Sequence, residues 1–186
     1  MTKLSLVIFS LSVGCCTSFA QNKDAQGAHV VVLIDTSCGN PILESQFFQR
    51  LQVTVTKVLS GNEIEVTLRD GQPVIVRLQA IEAPPPDKPF GSESKQYLIK
   101  KALHQEIDLT VRQHWMPDSM PSVSHVSAIV HLRKGFEDLN YSMLCLGLAK
   151  YIDTEPYGMS SYDQCTYIKA SKMARSQALG VWSVAP

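Results

Sequence analysis

The chain has 186 residues, and its 17 lysines and arginines balance its 17 aspartates and glutamates to a formal net charge of zero. Hydrophobic residues make up 45% and charged residues 18% of it, which indicates one globular domain with at most an appendage and excludes a disordered chain. A neutral chain lacks the basic surplus with which simple nucleic-acid binders grip phosphates, so the composition argues against that class.

Residues 1–20 have the layout of a secretory signal peptide. A lysine near the start is followed by an apolar run from Leu4 to Gly14 and by small residues up to Ala20. The pattern predicts a secreted or periplasmic protein. The run is too short for a comfortable transmembrane anchor, so no integral membrane segment is expected after signal removal. Cleavage leaves 16 basic and 17 acidic residues, a net charge of −1.

A lipoprotein anchored through Cys15 or Cys16 is the alternative for this segment. The residues before these cysteines match a lipidation signal poorly, because Ser12 stands where a leucine is expected. Soluble export is therefore the favoured interpretation.

Export leaves three cysteines, Cys38, Cys145 and Cys165. An oxidising compartment permits one disulfide among them, and Cys145–Cys165 is the favoured pair because it would join the last two helices. The other two pairings and a set of buried free thiols stay open. No Cys-x-x-Cys or Cys/His spacing is present, which argues against a zinc site.

Residues 21–50 form an N-terminal extension in which His29–Asp35 is one possible strand, and residues 51–186 form the main domain. The main domain begins with a three-stranded meander. Its strands alternate apolar and polar side chains and are separated by turn residues. The predicted strands are 52–59, 63–68 and 73–81. Three such strands with one apolar face are expected to curl into a barrel.

The rest of the domain adds three helices and two more strands. A helix begins near Gly91, a second begins at a cap residue that is either Asp138 or Asn140, and a third covers 162–178. The strands cover 106–113 and 125–132. In the second of them His125 and His131 share one face. The loop between these strands carries His114-Trp115, which is suited to stacking a base or to pinning the loop.

Four short motifs in this order resemble the staphylococcal nuclease-like (thermonuclease) family. They are VRLQAIEAP from Val76 to Pro84, Gly91-x-Glu93-Ser94, Leu139-Asn140 with Leu146-Gly147-Leu148-Ala149, and Ala174-Arg175 with Leu179-Gly180-Val181-Trp182. The resemblance implies an α+β fold, a five-stranded OB-type barrel with three helices. It also implies calcium-dependent hydrolysis of DNA and RNA phosphodiester bonds.

The family's catalytic positions carry over only in part. Arg77 matches the first arginine, and Glu82 matches a metal-binding aspartate with one extra methylene. Asn62 stands in place of the other metal-binding aspartate, Pro85 in place of the glutamate that activates water, and His125 near the second arginine. Arg77 and His125 are thus the candidate catalytic residues, and Asn62 and Glu82 the candidate metal ligands.

These replacements predict an impaired centre. Loss of a general base alone typically slows a reaction by about 10²–10⁴-fold. Histidine lacks the two-pronged grip of arginine, and fewer carboxylates make calcium binding possible but weak. Rescue by Asp87 in the neighbouring loop is the alternative, whereas Glu63 is expected to point away from Asn62. Arg77 and Glu82 could equally be an ion pair without function.

Three functional hypotheses follow. The first is an exported binding or scaffold module with an impaired site, whose partner is single-stranded DNA or RNA. The second is an active calcium-dependent nuclease with a relocated carboxylate. The third is a structural component of an envelope or secretion assembly, which offers His29–Asp35 as a strand to a protein partner. Whether the chain is an enzyme is left open by the sequence.

Overall fold

A computed structural model describes residues 36–39, 48–112, 124–153 and 159–184. The predicted signal peptide, the possible strand His29–Asp35 and the loop residues His114-Trp115 lie outside these ranges. Within them no helix combines the length and apolarity needed to cross a membrane.

The described residues form seven strands and three α-helices. The strands are β1 (Phe48–Val58), β2 (Glu63–Thr67), β3 (Pro73–Leu78), β4 (Ile81–Glu82), β5 (Glu106–Arg112), β6 (Ser124–Leu132) and β7 (Lys150–Tyr151). The helices are α1 (Gly91–Ala102), α2 (Leu139–Cys145) and α3 (Ser161–Ser176).

Five of the strands close into a barrel in the order β1-β2-β3-β6-β5, and β5 pairs back onto β1. Only the β3–β6 pair of the barrel is parallel. Alternating side chains such as Ile64 and Val66 fill the interior, as the period-two pattern predicts. The α+β class, the five-stranded barrel and the three helices are confirmed. The short β4 and β7 pair separately and were not predicted.

Buried Asn140 joins α2 to the barrel. Its Oδ1 accepts a hydrogen bond from the backbone N–H of Val130 at 3.1 Å. Its Nδ2 donates to the carbonyl oxygens of Gln79 at 3.0 Å and Ala128 at 3.1 Å. The side chain therefore satisfies three backbone groups where β3 and β6 diverge, which explains structurally why asparagine occupies this motif position.

Two further joints hold the helices together. The buried hydroxyl of Ser94 in α1 lies 2.6 Å from the carbonyl oxygens of both Phe90 and Leu148. A β-carbon on Gly147 would lie only 2.3 Å from the carbonyl oxygen of Leu179, so the C-terminal turn packs directly against backbone at this glycine. The motif residues of the helical half therefore act as packing joints.

The disulfide joins Cys38 to Cys165, with a Cα–Cα distance of 5.6 Å. The predicted pair Cys145–Cys165 is wrong, because Cys165 is bonded to Cys38 and Cys145 is a buried residue of the hydrophobic core that is not in a disulfide. Cys165 instead lies half-buried on α3, where the residues around Cys38 pack. The bridge ties the start of the described chain to the last helix across 127 residues.

The starts of α2 and α3 show which residues cap these helices. Asp138 caps α2, since its Oδ1 accepts the backbone N–H of Tyr141 at 2.9 Å. The side chain of Asn140 instead joins α2 to the barrel. The third helix begins at Ser161, where Ser160 accepts the N–H of Asp163 at 3.0 Å.

Candidate functional site

The candidate site lies at the barrel rim, where the β1–β2 turn meets the end of β3. The carbonyl oxygen of Asn62 accepts the N–H of Leu78 at 2.8 Å, and its Nδ2 donates to the carbonyl oxygen of Ile81 at 3.3 Å. These bonds bring the turn next to Glu82. The fold therefore assembles the two predicted metal-ligand positions, Asn62 and Glu82, at one edge.

The amide of Asn62 is occupied by structural bonds. Its Oδ1 accepts the hydroxyl of Ser60 at 3.1 Å, and the side chain is buried. The backbone N–H of Asn62 bonds the same hydroxyl oxygen at 3.3 Å. In this arrangement the side chain acts as a clamp between the turn and β4.

Gly61 explains how closely this turn is held. A β-carbon at Gly61 would lie 2.7 Å from the Cβ atoms of both Ala83 and Ser94. The turn is thus wedged between the exit of β4 and helix α1, and a side chain here would have to displace one of them.

Arg77 and His125 project from the same outer face of the barrel. Arg77 is exposed on β3, paired in register with Glu63 on β2 and Ser127 on β6. His125 is exposed on β6 opposite Ile75, so it lies diagonally across the strand pair from Arg77. The two candidate catalytic residues therefore lie on one face of adjacent strands, two register positions apart. Glu63 shares their outward orientation, while Asn62 is buried.

Glu82 is exposed on β4, opposite Lys150 on β7. Among the described residues neither Glu82 nor Arg77 takes part in an ion pair within 4.0 Å, so the predicted Arg77–Glu82 pair is not formed there. The proximity of Lys150 was missed in the sequence, because two-residue strands carry no periodic signal.

Lys150 also contacts an aromatic ring near the rim. Its Nζ lies 5.3 Å from the centre of the Trp182 ring, and the guanidinium carbon of Arg175 lies 5.3 Å from the same centre. Both distances are typical of cation–π contacts. Trp182 thus fastens the C-terminal turn to β7 and α3, in keeping with the packing motif.

The proline-rich loop after β4 packs tightly against the start of α1. The carbonyl oxygen of Pro85 accepts the N–H of Lys88 at 2.9 Å, and a β-carbon on Gly91 would lie 2.0 Å from that oxygen. Asp87 is exposed in the turn that these contacts hold. Pro85 therefore contributes packed backbone to the start of α1.

These residues do not fit a tight calcium site. Calcium takes six to eight oxygen ligands, and its affinity follows the number of carboxylates. At the rim Glu82 is the one carboxylate among the candidate ligands, and the Asn62 amide is already bonded. Throughout the described ranges no group of three His, Cys, Asp or Glu side chains is placed to hold a metal.

A second group of titratable residues lies away from the rim, between β6, α2 and α3. Burial raises the pKa of Asp138 to about 6, although bonds from the Tyr141 N–H and the Tyr167 hydroxyl at 2.8 Å oppose the shift. Burial lowers the pKa of His131, assisted by the nearby positive charge of Arg50. His131 is thus enclosed where His125 is exposed, so the two histidines are in different environments despite their shared strand face.

Glu137 links the first two helices in the same region. Burial alone would raise its pKa, but bonds from Lys101 at 2.7 Å, Tyr97 at 3.0 Å and Ser142 at 3.0 Å outweigh it and lower the pKa. These polar groups are satisfied by one another, and they stabilise the packing of the helices.

The sequence model of a protein family described as staphylococcal nuclease homologue matches residues 75–184. The match begins in β3 and runs to the end of the described residues, so it includes the rim from Arg77 onward and all three helices. A comparison with curated proteins finds none that matches the chain.

Proposed function

The chain belongs to the staphylococcal nuclease homologue family, and from that premise we propose that it is an exported binding module with an impaired hydrolytic centre. The partner that its rim suits best is single-stranded DNA or RNA. The observation that carries the proposal is the rim itself, which keeps the phosphate-facing cation Arg77 and lacks a water-activating acid at Pro85.

Loss of hydrolysis follows from three adjacent features. Asn62 uses its amide to hold the turn, Pro85 presents packed backbone, and Glu82 alone supplies a carboxylate. Phosphodiester hydrolysis needs a carboxylate that orients or deprotonates water and charge that stabilises the phosphoryl oxygens. The rim retains only the second of these, so we expect any calcium-dependent turnover to be very weak.

Binding without hydrolysis is supported by the outward face around Arg77. Arg77 and His125 lie together there, and Arg77 is not held by an acidic partner within the described chain. A guanidinium group that is not paired can donate two hydrogen bonds to a phosphate. Because the whole chain is close to neutral, we expect modest affinity that falls steeply with salt.

Export is supported by the disulfide. Bridges such as Cys38–Cys165 persist in oxidising compartments and are rare in the cytosol. The bridge agrees with the signal-like residues 1–20, and a secreted or periplasmic location is therefore part of the proposal.

The decisive experiment incubates the chain from residue 21 onward with calcium and supercoiled plasmid DNA. The proposal expects intact plasmid at enzyme concentrations where an active family member would degrade it. Calcium-dependent cleavage that disappears in Arg77→Ala would overturn the impaired centre and favour the nuclease hypothesis with a relocated carboxylate.

Binding is measured separately, by fluorescence anisotropy with labelled oligothymidylate over a range of salt concentrations. We expect Arg77→Ala to weaken binding by about fivefold, the effect of one lost phosphate contact. Lys172→Ala is the matched control, because Lys172 is an exposed cation on α3 and is not part of the rim. Equal weakening by both variants, or no binding at low salt, would contradict a nucleic-acid partner and leave the envelope assembly as the better hypothesis.

A further inference from the structure

A groove outside the rim runs between the end of β1 and the last turns of α1. We call it the β1–α1 groove. Its volume is about 460 Å³, and its lining is mainly apolar. The lining residues are Thr56, Lys57, Val58, Leu59, Lys95, Ile99, Leu103 and His104. None of the rim residues discussed above lines it.

The β1 wall of the groove contains an irregularity. The pairing of β1 with β2 shifts register between Val55 and Lys57, which leaves Thr56 as an extra residue. The Thr56 hydroxyl lies 3.1 Å from the backbone oxygen and 3.0 Å from Oε1 of Glu65, so the bulge is held in place. Bulges bend a strand and re-aim its side chains, and they are frequent beside binding sites.

The floor of the groove is aliphatic and its rim is cationic. Ile99 and Leu103 of α1 pack against the core with part of their surface uncovered. Lys57 and Lys95 lie beside the floor, and His104 adds an imidazole ring to the lining. The Nζ of Lys57 forms an ion pair with Oε1 of Glu65 at 3.2 Å. Lys95 has no ion pair among the residues that the structure describes.

We propose that the β1–α1 groove docks an acidic peptide segment of a protein partner, with one aliphatic side chain on the floor and carboxylates beside Lys95 and Lys57. Charge complementarity argues for an anionic occupant, because no acidic side chain lines the groove. The aliphatic floor argues for a peptide over single-stranded nucleic acid. Bases stack on aromatic rings, and the lining contains none apart from the imidazole of His104.

The test uses a short fluorescent peptide in which one leucine is flanked on both sides by aspartates, and binding is followed by anisotropy. We expect saturable binding that weakens by about tenfold in Lys95→Glu, as for reversal of one partly buried interfacial charge. Replacing the leucine of the peptide by serine should weaken binding by a similar factor, because the floor then has no apolar partner.

The matched control is Lys100→Glu, which makes the same charge change on an exposed residue of the same helix outside the groove. It should change the affinity by less than about twofold. If both lysine variants weaken binding equally, the attraction is non-specific and the proposal fails. Should Lys95→Glu fail to fold, Lys95→Gln removes the charge with less disturbance and should still weaken binding.

Two further outcomes would overturn the proposal in favour of other occupants. Displacement of the peptide by oligothymidylate, with loss of oligothymidylate binding in Lys95→Glu, would make the groove a nucleic-acid site. Self-association of the parent chain that Lys95→Glu abolishes would make the occupant a second copy. Arg77→Ala should leave peptide binding unchanged. The docking proposal is therefore tested independently of the proposed function of the rim.

Discussion

The helical joints and the barrel rim are built from the same set of motifs, yet their side chains behave differently. At the joints, Asn140 and Ser94 are buried and their polar groups are bonded to backbone. At the rim, Arg77 and Glu82 are exposed and form no ion pair among the described residues.

This contrast separates the residues that hold the fold together from exposed residues whose role the fold does not set. A buried joint is constrained by packing and by the cost of leaving polar groups unsatisfied. An exposed rim residue is constrained only by the reaction it serves. A chain can therefore keep the family's architecture while its rim carries asparagine, proline and histidine.

The largest loss of stability is expected when the Asn140 joint between α2 and the barrel is removed. Asn140→Leu removes the side-chain bonds to the N–H of Val130 and to the carbonyl of Gln79, while the Ala128 carbonyl keeps its bond from the N–H of Gln79. We expect the free energy of unfolding to fall by about 4 kcal/mol, measured by urea denaturation. A loss below about 1 kcal/mol would show that water replaces the amide and that the joint is not essential.

The disulfide should have the next largest effect. Replacing Cys38 and Cys165 together by serine removes a cross-link across 127 residues. We expect a loss of about 3 kcal/mol, mainly because the unfolded chain gains freedom. Peptide mapping without reductant gives the pairing directly. A Cys145–Cys165 peptide in the native protein would contradict the structure.

The pH dependence of stability tests the helical region through Asp138. Its pKa is raised from 3.8 to about 6, so the folded state binds this proton more tightly than the unfolded state does. The stabilisation of the folded state by this proton is fully present below pH 3.8 and is lost as the pH rises through about 6.

Asp138→Asn keeps the helix cap and removes this titration. We expect the variant to match the parent near pH 4 and to exceed its stability by about 2 kcal/mol at pH 7. The exposed Asp87→Asn should leave the profile unchanged. His131 acts in the opposite direction, because its lowered pKa makes stability fall as the pH drops below 6.5, the ordinary pKa of histidine.

Changing Asn62, whose side chain holds the turn to β4, should lower stability by a smaller amount. Asn62→Asp replaces a donor to the Ile81 carbonyl with an acceptor, which sets two oxygens against each other. We expect a loss of about 1–2 kcal/mol in thermal or urea unfolding. Because Glu82 is the one other carboxylate among the candidate ligands, millimolar calcium should not restore stability. Recovery of the variant in calcium would contradict the misfit of the metal site.

The smallest effects are expected at the exposed rim residues. Arg77→Ala and Glu82→Gln should each change the free energy of unfolding by less than about 0.5 kcal/mol. A larger loss in either variant would show that these side chains support the fold, and it would blur the distinction between joint and rim.

Particular residues show how far sequence reasoning reached. Alternation around Ile64, Val66 and Val76 predicted the strands, since a half-buried sheet has period two. The two possible caps at Asp138 and Asn140 were not separable, because both residue types cap helices. Asp138 caps the helix and Asn140 joins it to the barrel because Asn140 contacts Val130 of β6. No local sequence pattern encodes that contact.

The candidate site was predicted in the same partial way. The carry-over named Arg77, Glu82, Asn62 and His125. In the structure Asn62 bonds the backbone of Leu78 and Ile81, beside Arg77 and Glu82, whereas His125 pairs with Ile75 further back along β3. The bond from Asn62 to Ile81 and the pairing of Glu82 with Lys150 were not foreseen, because both join segments distant in the chain. The roles of these site residues remain predictions until the nuclease and binding assays are done.

The sequence by itself determined the order of the elements and the family, because periodicity and short motifs are local properties of the chain. It also predicted that proline stands at the position of the water-activating acid, which remains a prediction. Tertiary structure alone decided that Cys38 pairs with Cys165 and that a groove lies between the bulged strand β1 and α1. Disulfide choice and groove shape depend on which surfaces meet after the barrel closes, and that meeting is set by the packing of the whole domain.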